Sequence, residues 1–378
     1  MDLSFFKRIV KPAITAIIWS FRILIRQTWV PIRIEVVVME PRFFGHQCLE
    51  PEVFLMDSLE PQKPNRVREM RFACLGKRAN AANQTLWDIR KKQLRSIPSW
   101  VVSEVVRQEF GRTSDKILVR HADYHRLNRL TQTPTSLPIS RELSSRYETI
   151  CELHSVPRRP LVIVTVREAT TGDGDLRNRR IADFRIAIET LVGRGYNVIR
   201  LTHRTADPAD FSLAGFIDYQ VARHGLPGDE LALIANCDFV VSTTTGIDCL
   251  ALAYRKPVLY IDAARFFYMF LGTELATCHL PEYEDLETGQ LISLPELLDR
   301  GLGWVKHSEA FELAGVRVRK TSPADIARVV DDYERKIGHQ MPTVRDDVEP
   351  HWQKQLMERH GKEILSRHGK IYASLLVP

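Results

Sequence analysis

The sequence predicts an α/β protein whose parallel sheets are divided between two domains. Three observations point there. Ile32–Met39 is rich in β-branched residues, as strands are, and Leu161–Val166 has the near-continuous hydrophobicity of a strand covered on both faces. Helical stretches alternate with such runs, as β-α-β units require. The pattern also restarts near Pro157-Arg-Arg-Pro160, after a Thr/Pro/Ser-rich stretch at 131–138, which divides 378 residues into segments of domain size.

The expected elements run as follows. Residues 1–30 form an amphipathic basic helix. Ser4, Lys7, Arg8, Lys11, Thr15, Arg22 and Arg26 fall within a stripe of roughly 100° on a helix of about 100° per residue, and apolar side chains cover the rest. Its longest uncharged run, Pro12–Phe21, is short of the ~20 apolar residues that cross a bilayer. Such a helix either lies in a membrane interface or packs on the domain behind it.

Residues 31–155 make the first domain. Ile32–Met39 is a strand, Pro41–His46 a glycine turn, and Leu49–Met56 a helix. Arg68–Leu75 follows as a strand, Ala81–Leu94 as a helix and Lys116–Arg120 as a short strand. Residues 156–378 make the second domain. Leu161–Val166 is a strand, 168–180 a loop, 181–194 a helix stopped by Gly195, and Asn197–Thr202 a strand. Then come a helix at 229–236, a strand at 238–243, a turn at 244–246, a helix at 247–255 and a strand at 257–262. Helices at 323–337 and 350–367 close the chain.

Charge is unevenly distributed: the net is +11 over residues 1–160 and −5 over the remainder. A basic front half points to an anionic surface or substrate; no RNP, KH or finger signature accompanies it, so nucleic acid is not the expected partner. Cys48, Cys74, Cys151, Cys237, Cys249 and Cys278 form no C-x-x-C and read as thiols of a reducing compartment. No apolar core followed by a small-residue cleavage site is present, so a cytoplasmic protein is expected.

In open parallel sheets ligands bind beyond the carboxyl ends of the strands. Arg167, Arg200 with His203, and Thr243–Gly246 all stand at such ends. The Thr-Thr-Thr-Gly turn opens a helix, so its backbone N–H groups and hydroxyls are suited to an anion, which Arg167 would clamp from the other side. The competing reading is a threonine N-cap with arginines paired to neighbouring acids. Neither G-x-x-x-x-G-K nor G-x-G-x-x-G occurs. His121 and His125 stand four apart without a third ligand, so no metal site is expected.

Further motifs resemble a known family. Gly45-His46 with Leu49-Glu-Pro-Glu52, Thr165-Val-Arg167, Arg177-Asn-Arg-Arg-Ile-Ala-Asp183, Gly195-Tyr-Asn-Val-Ile-Arg-Leu201, Ile217-Asp-Tyr219 and Asp238–Gly246 resemble a bacterial group of glycosyltransferases associated with surface-polysaccharide gene clusters. The similarity spans residues 30–275, with an echo at Gly369-Lys-Ile371. Thr165 replaces the group's usual histidine in His-x-Arg, and Thr244-Thr-Gly246 replaces Thr/Ser-Ser-Gly.

The resemblance implies a GT-B-like fold, two facing Rossmann-like domains with parallel sheets, here preceded by the N-terminal helix. It implies a hexosyl- or deoxyhexosyl-transferase that moves a sugar from a nucleotide-sugar donor to a glycan or lipid-linked acceptor. No cofactor is expected, and the enzyme is expected to be metal-independent and peripheral on the cytoplasmic membrane face. Arg167 and Thr244, Thr245 and Gly246 would stabilise the departing diphosphate. Asn178, Arg179 and Arg200 would line the donor pocket, with Asp218 and Tyr219 near the nucleotide. His46 is the expected general base, with Glu50 and Glu52 in reserve. The alternatives are a nucleotide-sugar epimerase or hydrolase, and a non-catalytic scaffold that binds a nucleotide sugar.

Overall fold

A computed structural model describes residues 32–58, 68–99, 117–121, 124–157, 159–168, 175–202, 207–221, 225–226, 228–263, 273–338 and 376–377, with Pro12, Ala16, Ser20, Val102 and Phe266. The expected helices at 1–30 and 350–367, His203, and the segment 369–371 lie outside those residues, apart from the three helical positions 12, 16 and 20. No helix among the described residues is long and apolar enough to cross a membrane.

The chain divides into two units, Met1–Ala122 and Asp123–Pro378. The first has a three-stranded parallel sheet in the order β2-β1-β3, with β1 Ile32–Val38, β2 Arg68–Cys74 and β3 Ile117–His121. Alternating residues of β1 and β2 face opposite sides, as a pleat demands. Val37 and Ala73 pack with Met39, Phe54, Leu75 and Leu94, while Val36 and Cys74 pack with Val102. Helix α1, Phe44–Ser58, follows β1, and α2, Gln84–Gln93, follows β2. Asn83 caps α2 by accepting from Leu86 N at 2.7 Å.

One expectation fails here. Gly45 and His46 belong to the first turn of α1, not to a turn preceding it. First-turn N–H groups have no intrahelical partner in any helix, so glycine is tolerated there. The sharp bend falls earlier, at Glu40–Phe43, where Arg42 N and Nε both donate to Glu40 Oε1.

In the second unit, α3 (Arg141–Leu153) precedes β4 (Leu161–Thr165), α4 (Arg185–Gly193), β5 (Asn197–Thr202) and β6 (Phe216–Gln220). After these come α5 (Asp229–Asn236), β7 (Phe239–Ser242), α6 (Ile247–Ala253), β8 (Val258–Ile261) and β9 (Ala276–His279). The parallel order is β6-β5-β4-β7-β8-β9, with a two-residue strand at 376–377 beyond β9. This is the Rossmann order: the chain builds outward from β4 in one direction, returns, and builds outward in the other.

β4, β7 and β8 are buried along their whole length, as are α6 and all of α5 but its last residue, Asn236. One sheet face, with Val162, Val164, Val241 and Leu259, packs on α4 and on α7, Pro323–Gly338. Gly195, at φ +91°, ends α4 as expected. Its N–H bonds to Val192 O and the next N–H to Leu191 O, the left-handed helix stop that only glycine adopts freely.

The unit begins before residue 156. Thr135 Oγ1 donates to Ala253 O at 2.7 Å, Arg255 Nε donates to Thr133 O at 3.0 Å, and Arg146 on α3 pairs with Asp229 on α5 at 2.5 Å. These bonds tie residues 133–153 to α5 and α6, where the sequence placed them with the first domain.

Sequence reading also misses β6, β9 and a small antiparallel pair, β10 (Glu282–Asp285) with β11 (Val316–Arg319). That pair encloses its own core, in which Tyr283 and Phe311 stack beside Leu176, Leu297 and Val316.

Candidate functional site

The strand order creates a switch point between β4 and β7, whose onward connections leave in opposite directions, and a crevice opens outside the carboxyl ends of such strands. Arg167 follows β4 and Thr243 follows β7. Arg167 N donates to Thr243 Oγ1 at 2.8 Å, and the hydroxyls of Thr165 and Thr245 lie 3.0 Å apart. The Arg167 Nε donates to Asn178 Oδ1 at 3.1 Å, and its Nη2 is 3.6 Å from Asp175. Arg167, Asn178 and the threonine turn are therefore brought together, as the sequence led us to expect.

The turn itself is not the open anion cradle that was expected. Thr244, at φ +64°, donates its N–H to Ser242 Oγ at 3.0 Å. The Thr245 N–H donates to Asp248 Oδ2 at 2.7 Å, and the Ile247 N–H to Thr245 Oγ1 at 3.2 Å. Short polar side chains have captured donors that an anion would otherwise take. Asp248 lies fully buried under the turn, and burial pushes its carboxyl up to about 6.

Four other expected donor residues serve the protein itself. Arg179 is 8% exposed; it pairs with Asp262, reaches Asp183 at 3.3 Å and donates to Thr321 O at 2.6 Å. Arg200 is 1% exposed, with Nη2 2.7 Å from Glu168 and Nη1 donating to Asp207 O at 2.8 Å and Asp218 Oδ2 at 3.1 Å. Asp218 also accepts the Ala209 N–H at 2.9 Å. Tyr219, one residue along β6, turns to the opposite face, where its buried hydroxyl donates to Asp229 Oδ2 at 2.5 Å. Its position there separates it from Asp218 and corrects its assignment to the nucleotide. Burial, then Asp229, holds its phenol well above the ordinary range.

A cleft of about 560 Å³ opens beside this set, lined by Glu168 after β4, Asn178–Asp183 ahead of α4, Asp207–Pro208 and Asp210 after β5, and Lys320 after β11. Of the expected donor residues, only Asn178 and Arg179 line it. Lys320 Nζ donates to Asn178 O at 2.6 Å, and burial, then the neighbouring Arg179, lowers the lysine's pKa. Arg180 is exposed and stands 3.8 Å from Asp210. Glu168 accepts the Ile181 N–H at 3.3 Å, and burial raises its carboxyl against the pull of Arg200. Lys320, Arg180 and Glu168 were not among the expected site residues. Glu168, the next residue after Arg167, was within reach of the strand-end rule; Lys320, 142 positions from its partner Asn178, was not.

The expectation of metal independence leaves out Asp173-Gly174-Asp175, which has D-x-D spacing. Asp173 lies outside the described residues. Asp175 is buried, and its two oxygens are bonded by Arg177 at 2.8 and 2.5 Å. Although burial opposes ionisation, Arg177 and Arg167 hold the carboxyl at about 2. Among the described residues no cluster of His, Cys, Asp or Glu is placed to hold a metal ion. His121 closes a strand and His125 falls in the 3-10 stretch Tyr124–Gln132, so the two do not share a helix. None of the six cysteines takes part in a disulfide.

In the first unit, His46 projects from the first turn of α1, its side chain 46% exposed. Its Nδ1 lies 2.8 Å from Glu50 Oε1, one helical turn on, and its ring is 5.6 Å from that of Phe43. The Glu50 contact raises the imidazole's pKa, against a smaller opposing effect of burial. Glu52 is fully buried against Arg90 at 2.9 Å, which also donates to Cys48 O, so it is a structural ion pair and not a reserve base.

No family model matches the chain, and no curated protein matches it. Among solved structures, the chain is similar to E. coli ADP-heptose LPS heptosyltransferase II, with 14% identity over 60% of this chain and 84% of that one and a TM-score of 0.34. It is similar to the iron-containing dodecameric glycosyltransferase TibC of enterotoxigenic E. coli, with 15% identity over 63% of this chain and 59% of that one and a TM-score of 0.33. A third is E. coli heptosyltransferase WaaC with ADP-2-deoxy-2-fluoro heptose, at 12% identity over 60% of this chain and 88% of that one and a TM-score of 0.28.

Proposed function

We propose that the chain is a GT-B glycosyltransferase that holds a nucleotide-sugar donor in its second unit and passes the sugar to a glycan or lipid-linked acceptor. One observation carries the reading: a Rossmann-ordered sheet whose switch point adjoins a cleft with Lys320 and Arg180 on its wall. A nucleoside diphosphate leaving group gains negative charge as the glycosidic bond breaks. Preorganised cations at that place lower the barrier by stabilising this charge. Lys320 and Arg180 supply them, with the partly exposed Arg167 nearby; these side chains take the part a divalent ion plays elsewhere, so turnover persists in chelator.

The acceptor hydroxyl must lose a proton as it attacks. His46, on the first unit, is assigned as its base, since an imidazole is half-protonated close to neutral pH. In this reading the basic stripe of residues 1–30 holds the protein at the cytoplasmic face of an anionic membrane, where a lipid-linked acceptor for surface polysaccharide is presented.

The test is thermal stabilisation by a panel of nucleoside diphosphates and nucleotide sugars, for the wild type and Lys320→Ala. A ligand at a hundred times its Kd contributes about 2.7 kcal/mol. A shift with one nucleotide, diminished in Lys320→Ala, supports the donor site and names its base. No shift across the panel removes it. Consumption of the donor without any acceptor would turn the assignment to an epimerase or hydrolase.

A further inference from the structure

Glu50 stood in the sequence as a substitute base, and its surroundings exclude that role. Its side chain is 4% exposed. Oε2 accepts the backbone N–H of Glu40 at 2.9 Å, and Oε1 faces His46 Nδ1 at 2.8 Å. The Glu40 amide belongs to the bend that follows β1, while Glu50 and His46 share α1. The carboxylate is thus anchored to the end of the central strand and to the helix at once. A carboxylate only accepts hydrogen bonds, so the shared proton resides on the ring, at Nδ1. A neutral imidazole carries one N–H, which leaves the lone pair on Nε2.

We infer that Glu50 is the positioning residue of His46, fixing the ring in the Nδ1–H tautomer so that Nε2 is the atom that takes a proton. The inference rests on the assignment of His46 as the base. Free imidazole side chains favour neither nitrogen strongly, and a base whose lone pair points along the wrong bond cannot serve. The same logic governs any imidazole whose second nitrogen is oriented by an acid. The spacing explains the residue types. Positions four apart on a helix lie on one face, so a His at the first turn and a Glu one turn later meet without distortion. Among the described residues, the charges that act on the ring include Glu50 and Glu40, the latter clamped by Arg42 at 2.9 Å. Both carboxylates favour the imidazolium that proton abstraction creates. Phe43, 58% exposed, borders the ring with its centroid 5.6 Å away.

The experiment is two-bond 1H–15N correlation spectroscopy of the full chain across pH, with the His46 signals identified by their loss in His46→Asn. In the wild type the neutral ring is expected to show the Nδ1–H pattern and to titrate above the ordinary histidine value. In Glu50→Gln, where the amide oxygen still accepts, the tautomer should persist while the titration moves down. In Glu50→Ala both should be lost. An Nε2–H pattern in the wild type, or a tautomer unchanged in Glu50→Ala, overturns the inference. Should Glu50→Ala fail to fold, an unchanged titration in Glu50→Gln overturns it. Turnover separates this from the base assignment. If His46→Ala transfers sugar at the wild-type rate while the spectra behave as expected, the base is elsewhere and the positioning stands. With the base assignment correct, Glu50→Ala should lower kcat about a hundredfold with KM little changed.

Discussion

Replacing Arg200 by Met should be among the most damaging single changes in the second unit, and its cost should depend on pH. The guanidinium is 1% exposed and sits 2.7 Å from Glu168, 3.1 Å from Asp218 and 2.8 Å from the carbonyl of Asp207. Methionine fills most of the volume but leaves two carboxylates and a carbonyl facing an apolar chain. Removing one member of a buried ion pair typically costs ~3–5 kcal/mol. Glu168 and Asp218 keep 21% and 19% of their side-chain surface, so water relieves part of the penalty, and about 3 kcal/mol is expected at pH 7. Burial already raises the Glu168 pKa in the wild type, and loss of the arginine raises it further. A carboxyl whose folded pKa exceeds its unfolded value destabilises fully above the folded value and progressively less as pH falls toward the unfolded one. Urea unfolding at pH 7 and pH 5 should therefore show a deficit that shrinks at the lower pH. Adding Glu168→Gln and Asp218→Asn should recover much of it. A loss below about 1 kcal/mol at pH 7, or an equal loss at both values, would refute the claim that Arg200 acts as a buried countercharge.

Three other changes test separate parts of the fold. Gly76→Ala places a Cβ 2.7 Å from Pro41 Cγ at φ +70°; a penalty of about 2–3 kcal/mol in urea unfolding is expected from strain and overlap combined. Asp248 is raised to about 6, so its burial costs stability increasingly as pH rises from near 4 to near 6 and fully above that. The wild type should lose about 2 kcal/mol relative to Asp248→Asn between pH 4 and pH 7, and parallel pH profiles would contradict this. Thr245→Val removes the acceptor of the Ile247 N–H and the Thr165 contact; a loss of about 1–2 kcal/mol in chemical unfolding is expected, and an unchanged midpoint would show that solvent replaces both bonds.

Much of the fold was legible because parallel strands buried on both faces announce themselves. The run Leu161-Val-Ile-Val-Thr165 is apolar on both sides of the pleat because helices cover both sides. Residues 239–242 and 258–261 were readable for the same reason. The strands Phe-Ile-Asp-Tyr-Gln at 216–220 and Val-Arg-Val-Arg at 316–319 were not, since the first carries polar side chains that are bonded inside the fold and the second lies in a two-stranded pair where its arginines reach water. Gly45 misled in the other direction, because its sequence signature is the same in a turn and in a first helical turn.

The candidate site was half legible. Strand ends locate Arg167, Arg200 and the threonine turn, since side chains beyond the sheet's carboxyl edge have nowhere else to go. Sequence does not disclose whether a charge is already engaged. Arg179 meets Asp262 across 83 positions, and the Thr245 amide turns inward to an aspartate three residues on. Lys320 reaches the cleft only because β11 delivers it there. His46 and Glu50 were legible as a pair of candidates, but their division of labour depends on the Glu40 amide, which only the folded bend supplies.

The two halves of the Rossmann sheet, β4–β5–β6 and β7–β8–β9, are joined by a single passage of chain through residues 221–238, and they meet along one pair of strands, Val162 opposite Phe239 through Thr165 opposite Ser242. A chain severed between Gln220 and Asp229 would keep every crossover helix internal to a half on its own fragment. Reassembly of the two fragments would zip β4 to β7 and return Arg167 to Thr243 in the same event. Molecules that settle into that crevice bridge the fragments, so the split protein doubles as a complementation reporter whose signal rises with its ligand.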